Sequence, residues 1–201
     1  MFSRDATKPA TVVELARATQ VSTEPATADV ARLEVHNIFV RGERTRVRVE
    51  VPERAKAIVA LFSGGIGVTR ITKLGEFRSG TGNFLIRTRT YFLRRGFTTA
   101  VFDGPTDHSR DPRFGFRRTA AHAMDIGAVI AHLRGRFGPP IWLVCTSRGT
   151  TSVVSGGSQL DVHRLDGIVL TSSTLAPVTK DNHGFDFSLE KISIPALITH
   201  H

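Results

Sequence analysis

Residues 141–149 read IWLVCTSRG, an apolar run that ends in a serine between small neighbours. The apolar part has the length of a strand and follows the turn-forming sequence Gly138-Pro139-Pro140, so it predicts a buried strand. Residues 150–154, TTSVV, can start a helix. The stretch therefore predicts a buried strand, a sharp turn at Ser147 and a helix.

Strand-like and helix-like runs alternate along the rest of the chain. Strands are predicted at residues 33–40, 44–51, 57–62, 98–103, 141–145, 165–171 and 194–199, and helices at 83–95 and 116–137. The segment between the last two long strands, residues 150–164, is rich in Gly and Ser and only moderately helical. Such alternation implies right-handed crossovers between parallel strands. We therefore expect an α/β fold, a mostly parallel sheet with helices on both faces.

The composition indicates one globular domain and argues against several kinds of site. The 201 residues carry a formal charge of +9, but basic residues are scattered through every segment, which argues against nucleic-acid binding. Those in residues 44–51 alternate with apolar residues, as expected for one solvated strand face. The single cysteine, Cys145, cannot form an internal disulfide, and no spacing resembles a set of metal ligands. Residues 1–28 are predicted to form a loosely ordered arm, and 29–201 the domain.

Ser147 has the sequence surroundings that a nucleophilic serine needs. A sharp strand-to-helix turn lifts the serine oxygen above the sheet and requires small residues two positions before and after it, where Cys145 and Gly149 stand. At the helix start, the N–H of Arg148 would face an oxyanion that develops on an attacked carbonyl. The loop 63–67, SGGIG, follows the third predicted strand, where a second oxyanion donor is required.

These motifs and the order of strands resemble the α/β-hydrolase superfamily over residues 31 to 201. The resemblance implies that Ser147 is the nucleophile of a nucleophile elbow, that Gly65 and Arg148 donate the oxyanion-hole N–H groups, and that residues 102–105 form the loop after strand four. The superfamily places its catalytic acid after strand seven and its histidine after strand eight, which here would lie beyond His201. On this basis we expect the domain to lack its C-terminal strand and helix, and this 201-residue form to be nearly inactive.

The expected function is that of a serine hydrolase acting on an ester, thioester or related acyl compound through an acyl-enzyme. The partner would be a small-molecule acyl substrate, with no cofactor, because acyl transfer by a serine needs none. No apolar run is long enough for a membrane span, so no membrane partner is expected and the cytoplasm is the default location. The oligomeric state is not specified by the sequence. The alternative function is a non-catalytic α/β domain that binds a small molecule or a protein partner.

Several candidate residues also have a simpler interpretation. Ser147 could cap a helix, and residues 64–67 could form a dinucleotide-binding loop or a plain turn. The polar residues after strand four could border a substrate pocket or only form a turn; they are Asp103, Asp107, His108 and Asp111. The histidines elsewhere are expected to be structural or without a role, namely His122, His132, His163 and His183. A base at His200 or His201 with Asp181 or Asp186 as the acid is a further alternative, although a strand tip lies far from Ser147.

Overall fold

A seven-stranded sheet organises the part of the chain that the structure, a computed structural model, describes: residues 30–109, 115–138, 140–159, 165–174 and 189–199. The strands are β1 (Val30–Val40), β2 (Glu43–Pro52), β3 (Ala57–Phe62), β4 (Phe97–Phe102), β5 (Ile141–Thr146), β6 (Gly167–Thr171) and β7 (Ala196–Thr199). Their order across the sheet is β1-β2-β4-β3-β5-β6-β7. The pairs β1–β2 and β2–β4 are antiparallel, and the remaining pairs are parallel. The prediction of a mostly parallel sheet is confirmed.

Three α-helices connect the strands: α1 (Phe84–Arg94), α2 (Ala120–Phe137) and α3 (Gly149–Gln159). The prediction placed the start of α2 at residue 116, but residues Phe116–Arg118 form a short 3₁₀ turn. Thr119 then begins the α-helix, because its hydroxyl accepts a hydrogen bond from the N–H of His122 at 3.2 Å. In the described segments, none of the helices combines the length and apolar character needed to cross a bilayer.

Alternating side chains of the central strands build two separate cores, one on each face of the sheet. On one face Ile58 and Ala60 of β3 pack with Leu143 of β5 against α2 and α3. On the other face Val59 of β3 and Trp142 of β5 pack against α1. Because successive strand residues point to opposite sides, these continuous apolar runs are buried on both faces. The prediction of helices on both faces is confirmed.

Helix α3 is built almost entirely from small residues, and this explains its weak helical signal. Its residues from Gly149 to Gly157 are buried, so the helix has no polar face to give the sequence a period. A Cβ placed on Gly156 would lie 3.2 Å from the Cγ2 of Ile126 in α2. The small side chains therefore let α3 pack closely against both α2 and the sheet.

The arginines of β2 do not form the solvated strand face that their alternation predicts. Arg48 donates to Glu50 at 2.5 Å, and Glu50 is only 3% exposed. Arg89 of α1 donates to the same carboxylate at 2.8 Å, while Arg46 donates to the carbonyl of Ile71 at 2.6 Å. The expectation was wrong because α1 and the long loop after β3 fold over this face, which a pattern within β2 alone does not reveal.

Candidate functional site

Ser147 occupies the turn between β5 and α3 with a backbone φ of +51°. A positive φ is uncommon for a residue with a side chain and is retained only where the surrounding structure enforces it. The Ser147 N–H donates to the carbonyl of Thr171 in β6 at 3.2 Å, which ties the turn to the sheet. The serine is partly exposed, and within the described segments its hydroxyl has no hydrogen-bond partner.

The turn is sharp because α3 begins directly against the end of β3. A Cβ on Gly149 would lie 2.2 Å from the carbonyl oxygen of Phe62, so only glycine fits. On the other side of Ser147, Cys145 is fully buried and its thiol lies 3.7 Å from the hydroxyl of Thr150. Burial raises the pKa of this thiol to about 12, so Cys145 stays protonated at neutral pH. Cys145 and Gly149 thus lie buried on either side of the turn at Ser147.

The glycine loop after β3 lies next to Ser147. A Cβ on Gly64 would be 3.0 Å from the Cβ of Ser147 and 3.1 Å from the carbonyl oxygen of Thr146. The next residue, Gly65, has a φ of +63°, and a Cβ added to it would meet nothing within 4 Å, so this side of the residue faces open space. The structure therefore brings together the loop and the turn that the sequence pairs as sources of oxyanion donors.

Two of the simpler interpretations disagree with this geometry. A dinucleotide-binding loop requires a helix to open at once, but the next α-helix begins only at Phe84. A capping serine would accept an amide N–H on its hydroxyl, and in the described part of the chain no such bond to Ser147 exists. Instead the Ser147 carbonyl accepts from the N–H and the hydroxyl of Thr150, at 3.0 and 2.7 Å.

A buried arginine joins the glycine loop to the turn. The guanidinium of Arg117 donates to the carbonyl of Ser63 at 3.2 and 3.3 Å and to the carbonyl of Arg148 at 2.9 Å. It packs so closely on Gly67 that a Cβ there would lie 1.6 Å from Nη2. Burial, and then repulsion from Arg148, lowers the pKa of Arg117 to about 10, so it remains charged at neutral pH.

Sequence reasoning missed Arg117, because nothing in its local pattern separates a buried arginine from a surface one. It stands in a run that the sequence assigns to the start of a long helix. Its only local signal is its place after Phe116, in a segment where apolar residues and arginines mix. The two carbonyls that it contacts belong to residues 54 and 31 positions away in the chain.

Next to the glycine loop lies a small cavity of about 40 Å³, and its wall carries a histidine–serine pair. His122 Nε2 is 2.9 Å from the hydroxyl of Ser152, a residue of α3 that is 2% exposed. The ring also lies against Phe116, with centroids 5.1 Å apart. Burial, and then the charges of Arg117, Arg41 and His108, together lower the pKa of His122 to about 3. His122 is thus neutral at neutral pH, with its Nε2 paired to Ser152, while its buried Nδ1 has no hydrogen-bond partner among the described residues.

Asp103 organises the loop after β3 from its place at the end of β4. Its carboxylate accepts the N–H groups of Thr69, Arg70 and Ile71 at 2.8 to 3.0 Å, and that of Gly104 at 2.9 Å. Such bonds match the turn-forming interpretation, although the residue also lines the 40 Å³ cavity.

The other polar residues of this loop hold partners away from Ser147. Asp107 accepts from Arg41 at 3.3 Å, and His108 stacks on the Phe116 ring with centroids 3.7 Å apart. Arg41 also makes a two-pronged ion pair with the buried carboxylate of Asp125, at 2.7 and 2.9 Å. This pair fastens the β1–β2 turn to α2.

No histidine of the described segments hydrogen-bonds Ser147. His132 lies against His36, with its Nε2 3.1 Å from the Nδ1 of that ring. The arm at residues 1–28 lies outside the described residues, as do several candidate residues: Asp111, His163, Asp181, His183, Asp186, His200 and His201. The roles considered for them stay predictions.

Comparison with known proteins identifies the fold. Neither a protein-family model nor a curated protein sequence matches the chain. Among solved structures, XC6422 from Xanthomonas campestris, an α/β serine hydrolase without a lid, matches at a TM-score of 0.57 and 15% identity over 84% of this chain and 71% of its own. A cold-adapted esterase from an Arctic intertidal metagenomic library matches at a TM-score of 0.52 and 19% identity over 69% of this chain.

A third structure extends the comparison to a larger enzyme. The 2,6-dihydroxy-pseudo-oxynicotine hydrolase matches at a TM-score of 0.50 and 20% identity over 68% of this chain. The chain spans 36% of that hydrolase and 59% of the esterase. The sheet order, the turn at Ser147 and these similarities define the class: the chain has the α/β-hydrolase fold.

The contact between Gly149 and β3 predicts that this position tolerates no side chain. Gly149→Ala would force the Cβ into the Phe62 carbonyl, and overpacking of this kind typically costs about 1–3 kcal/mol or more. Gly135→Ala in α2 is the matched control, because a Cβ there meets nothing within 4 Å. We expect the control to be neutral or about 0.5–1 kcal/mol more stable, as Ala favours a helix over Gly. Urea unfolding of both variants provides the measurement, and equal stabilities would contradict the assigned contact.

The low pKa of His122 predicts acid sensitivity. The folded protein keeps this ring neutral down to a pKa of about 3, whereas the unfolded chain protonates it near its ordinary value of about 6.5. The unfolded state then binds more protons in this window, so stability contributed by the neutral ring is lost as pH falls below about 6.5. We expect His122→Asn to show a smaller drop in melting temperature between pH 7.5 and 5 than the parent protein. The same drop in both proteins would show that the ring does not control it.

Proposed function

We propose that the protein is a hydrolase in which Ser147 attacks an ester, thioester or related acyl compound and carries the acyl group as an acyl-enzyme. The observation that supports this most directly is the left-handed backbone of Ser147 at the carboxyl end of a central parallel strand. Strain of this kind concentrates at functional positions, and ligands of open α/β sheets bind at this edge. The similar solved structures named as an esterase and a serine hydrolase agree with this chemistry.

The proposed oxyanion hole uses two backbone N–H groups from different elements. Arg148 contributes the N–H at the start of α3, where the helix dipole adds partial positive charge. Gly65 contributes the second from the loop beside Ser147. When the serine oxygen bonds to the substrate carbonyl carbon, the carbonyl electrons move onto its oxygen, and these fixed donors stabilise that charge. Collapse of this intermediate expels the alcohol or thiol and leaves the acyl group on Ser147, and water then releases it.

Arg117 holds this arrangement in place in the proposed mechanism. It donates to the carbonyls of Ser63 and Arg148, which belong to the two segments that carry the proposed donors. Because catalytic donors act only when they are positioned before the reaction, a fixed distance between these segments matters to the rate. The bridge also satisfies the buried carbonyl of Ser63, whereas the carbonyl of Arg148 additionally accepts from the N–H of Thr151 at 3.2 Å.

The base that takes the Ser147 proton is not assigned. A serine without its base loses on the order of a million-fold in kcat in a well-studied serine protease. No described histidine fills this role, so the proposal covers Ser147 and the oxyanion donors only. Residues 172–195 connect β6 to β7 and are too few for a separate lid domain there, which favours an open pocket for a small acyl substrate.

Labelling with a fluorophosphonate probe tests the nucleophile. We expect the full product of the reading frame to be labelled at Ser147, and the Ser147→Ala variant to lose both the label and ester hydrolysis. Ser158→Ala in the same helix is the control and should label normally, because this side chain only donates to the carbonyl of Ser155 at 3.3 Å. A folded, full-length protein that remains unlabelled, or equal hydrolysis by Ser147→Ala, would favour the non-catalytic binding domain.

A second variant tests the bridge of Arg117. Arg117→Met removes three donor contacts, and we expect kcat to fall on the order of a hundred-fold with a smaller change in KM, as for other displaced catalytic geometries. Arg117→Lys keeps the charge and should recover part of that loss. The exposed Arg87→Met in α1 is the control for loss of a cation. Unchanged kcat in a folded Arg117→Met protein would show that the two segments hold their positions without the bridge.

A further inference from the structure

A basic cleft lies at the same edge of the sheet as Ser147, with a volume of about 270 Å³. Three segments far apart in the sequence form it: the start of β2, the loop that follows β3 and the loop that follows β4. Four of its lining residues are arginines, namely Arg44, Arg46, Arg70 and Arg78, and three others carry hydroxyl groups, namely Thr72, Thr106 and Ser109. The sequence gives no sign of this cluster, because the fold brings its parts together.

The four arginines of this cleft lack acidic partners among the described residues. Elsewhere in the described segments, arginines such as Arg41, Arg48, Arg89 and Arg134 pair with carboxylates at 2.5 to 2.9 Å. In the cleft, Arg46 donates only to the carbonyl of Ile71 and the side chain of Asn37, at 2.6 and 3.0 Å. The cleft therefore concentrates positive charge that no carboxylate of the described residues pairs with.

The one carboxylate in the wall of the cleft is already occupied. Asp103 accepts four backbone N–H groups, including those of Arg70 and Gly104 at 3.0 and 2.9 Å. Outside the lining, Glu43 accepts from the hydroxyl of Thr106 at 2.5 Å. Neither carboxylate forms an ion pair with a cleft arginine, so both leave the guanidinium groups available to a ligand.

A buried donor on one of the cleft arginines also lacks an acceptor among the described residues. The Nε of Arg44 is buried, and the part of the chain that the structure describes offers it no hydrogen-bond partner. Nearly all buried donors in folded proteins have a partner, because an unmade bond costs about 1–3 kcal/mol. Arg70 adds backbone strain at the same place, with a φ of +50°.

The cleft is close enough to Ser147 for one small molecule to reach both. In the sheet order, β4 and β2 lie two and three strands from β5, which at a usual strand spacing of about 4.8 Å corresponds to roughly 10–15 Å. Asp103 and Gly104 line both the cleft and the 40 Å³ cavity, and that cavity also has Ser63 and Gly67 in its wall. The cleft and the glycine loop thus border one continuous surface.

We propose that this cleft binds the anionic group, a phosphate or a carboxylate, of the acyl substrate that Ser147 attacks. Guanidinium groups suit such oxyanions because they donate paired, charge-assisted hydrogen bonds. The identification of this ligand as the substrate rests on the proposed function. The anion site itself depends only on the four arginines.

Binding of inorganic phosphate tests the anion site without any chemistry at Ser147. We expect phosphate to raise the melting temperature of the protein and of Ser147→Ala equally, and added chloride to weaken the effect through screening. Arg70→Gln with Arg78→Gln removes two exposed cleft charges and should weaken phosphate binding on the order of ten-fold or more. Arg54→Gln with Arg87→Gln removes two exposed charges outside the cleft and is the matched control.

Ester hydrolysis then tests whether the anion belongs to the substrate. A 4-nitrophenyl ester whose acyl chain ends in a carboxylate should have a higher kcat/KM than a neutral ester of equal length, and the cleft double variant should abolish this preference. Phosphate binding that is equal in the cleft variant and the control would overturn the site. A missing preference for the charged ester would overturn the substrate assignment. Absence of fluorophosphonate labelling together with cleft-dependent phosphate binding would instead remove the proposed function and leave the anion site.

Discussion

The closeness of α3 to the end of β3 is the constraint on which the arrangement around Ser147 depends. Gly149 has the carbonyl of Phe62 where its Cβ would be, at 2.2 Å, and this contact fixes where the helix begins. With the helix start fixed and β5 held in the sheet, the chain has only two residues, Ser147 and Arg148, in which to reverse direction. Ser147 takes the left-handed backbone for that reason. The strain of the serine is therefore a result of helix packing and not of its own side chain.

The same closeness explains the unusual composition around the site. Helix α3 uses small residues because larger ones would hold it away from β3 and α2, and its packing energy comes from complete burial of small side chains. The guanidinium of Arg117 then fills the space between the glycine loop and the start of α3, and a residue larger than Gly67 would collide with it. A buried cation with carbonyl partners only is compatible with folding here, because three hydrogen bonds replace part of its hydration.

Charge is distributed unevenly over the carboxyl edge of the sheet. Near the hairpin turn, Arg41 is neutralised by Asp125, and on β2 Arg48 is neutralised by Glu50. The cleft between these pairs keeps its positive charge. The 40 Å³ cavity beside the glycine loop has a largely apolar wall that includes Phe62, Phe102 and Phe116, although Asp103, Arg117 and Asp125 also line it. A substrate with an apolar reacting part and an anionic end would match this distribution. Affinity and orientation would then come from different parts of one surface.

The sequence by itself determined the succession of strands along the chain, the sheet covered on both faces and the strand–turn–helix around Ser147, because these follow from local apolar runs and from glycines at defined spacings. Residues 141–149 and the loop 63–67 carry that information within a few positions. The start of α2 was less predictable, because the capping hydroxyl of Thr119 sets it. The helical pattern of α3 was weak in the sequence, because its small residues are buried all round the helix.

Only the tertiary structure decided which charged residues meet. Arg117 reaches carbonyls 54 and 31 residues away, Arg41 reaches Asp125 across 84 residues, and the arginines of the cleft come from two distant segments. The alternation in β2 suggested solvated arginines, and the loop after β3 covers them instead. The spacing of charged residues along the chain carries no information about a distant partner, whereas the spacing of apolar residues shows which faces are buried. The sequence therefore predicts the buried faces, and the fold decides which charged residues meet.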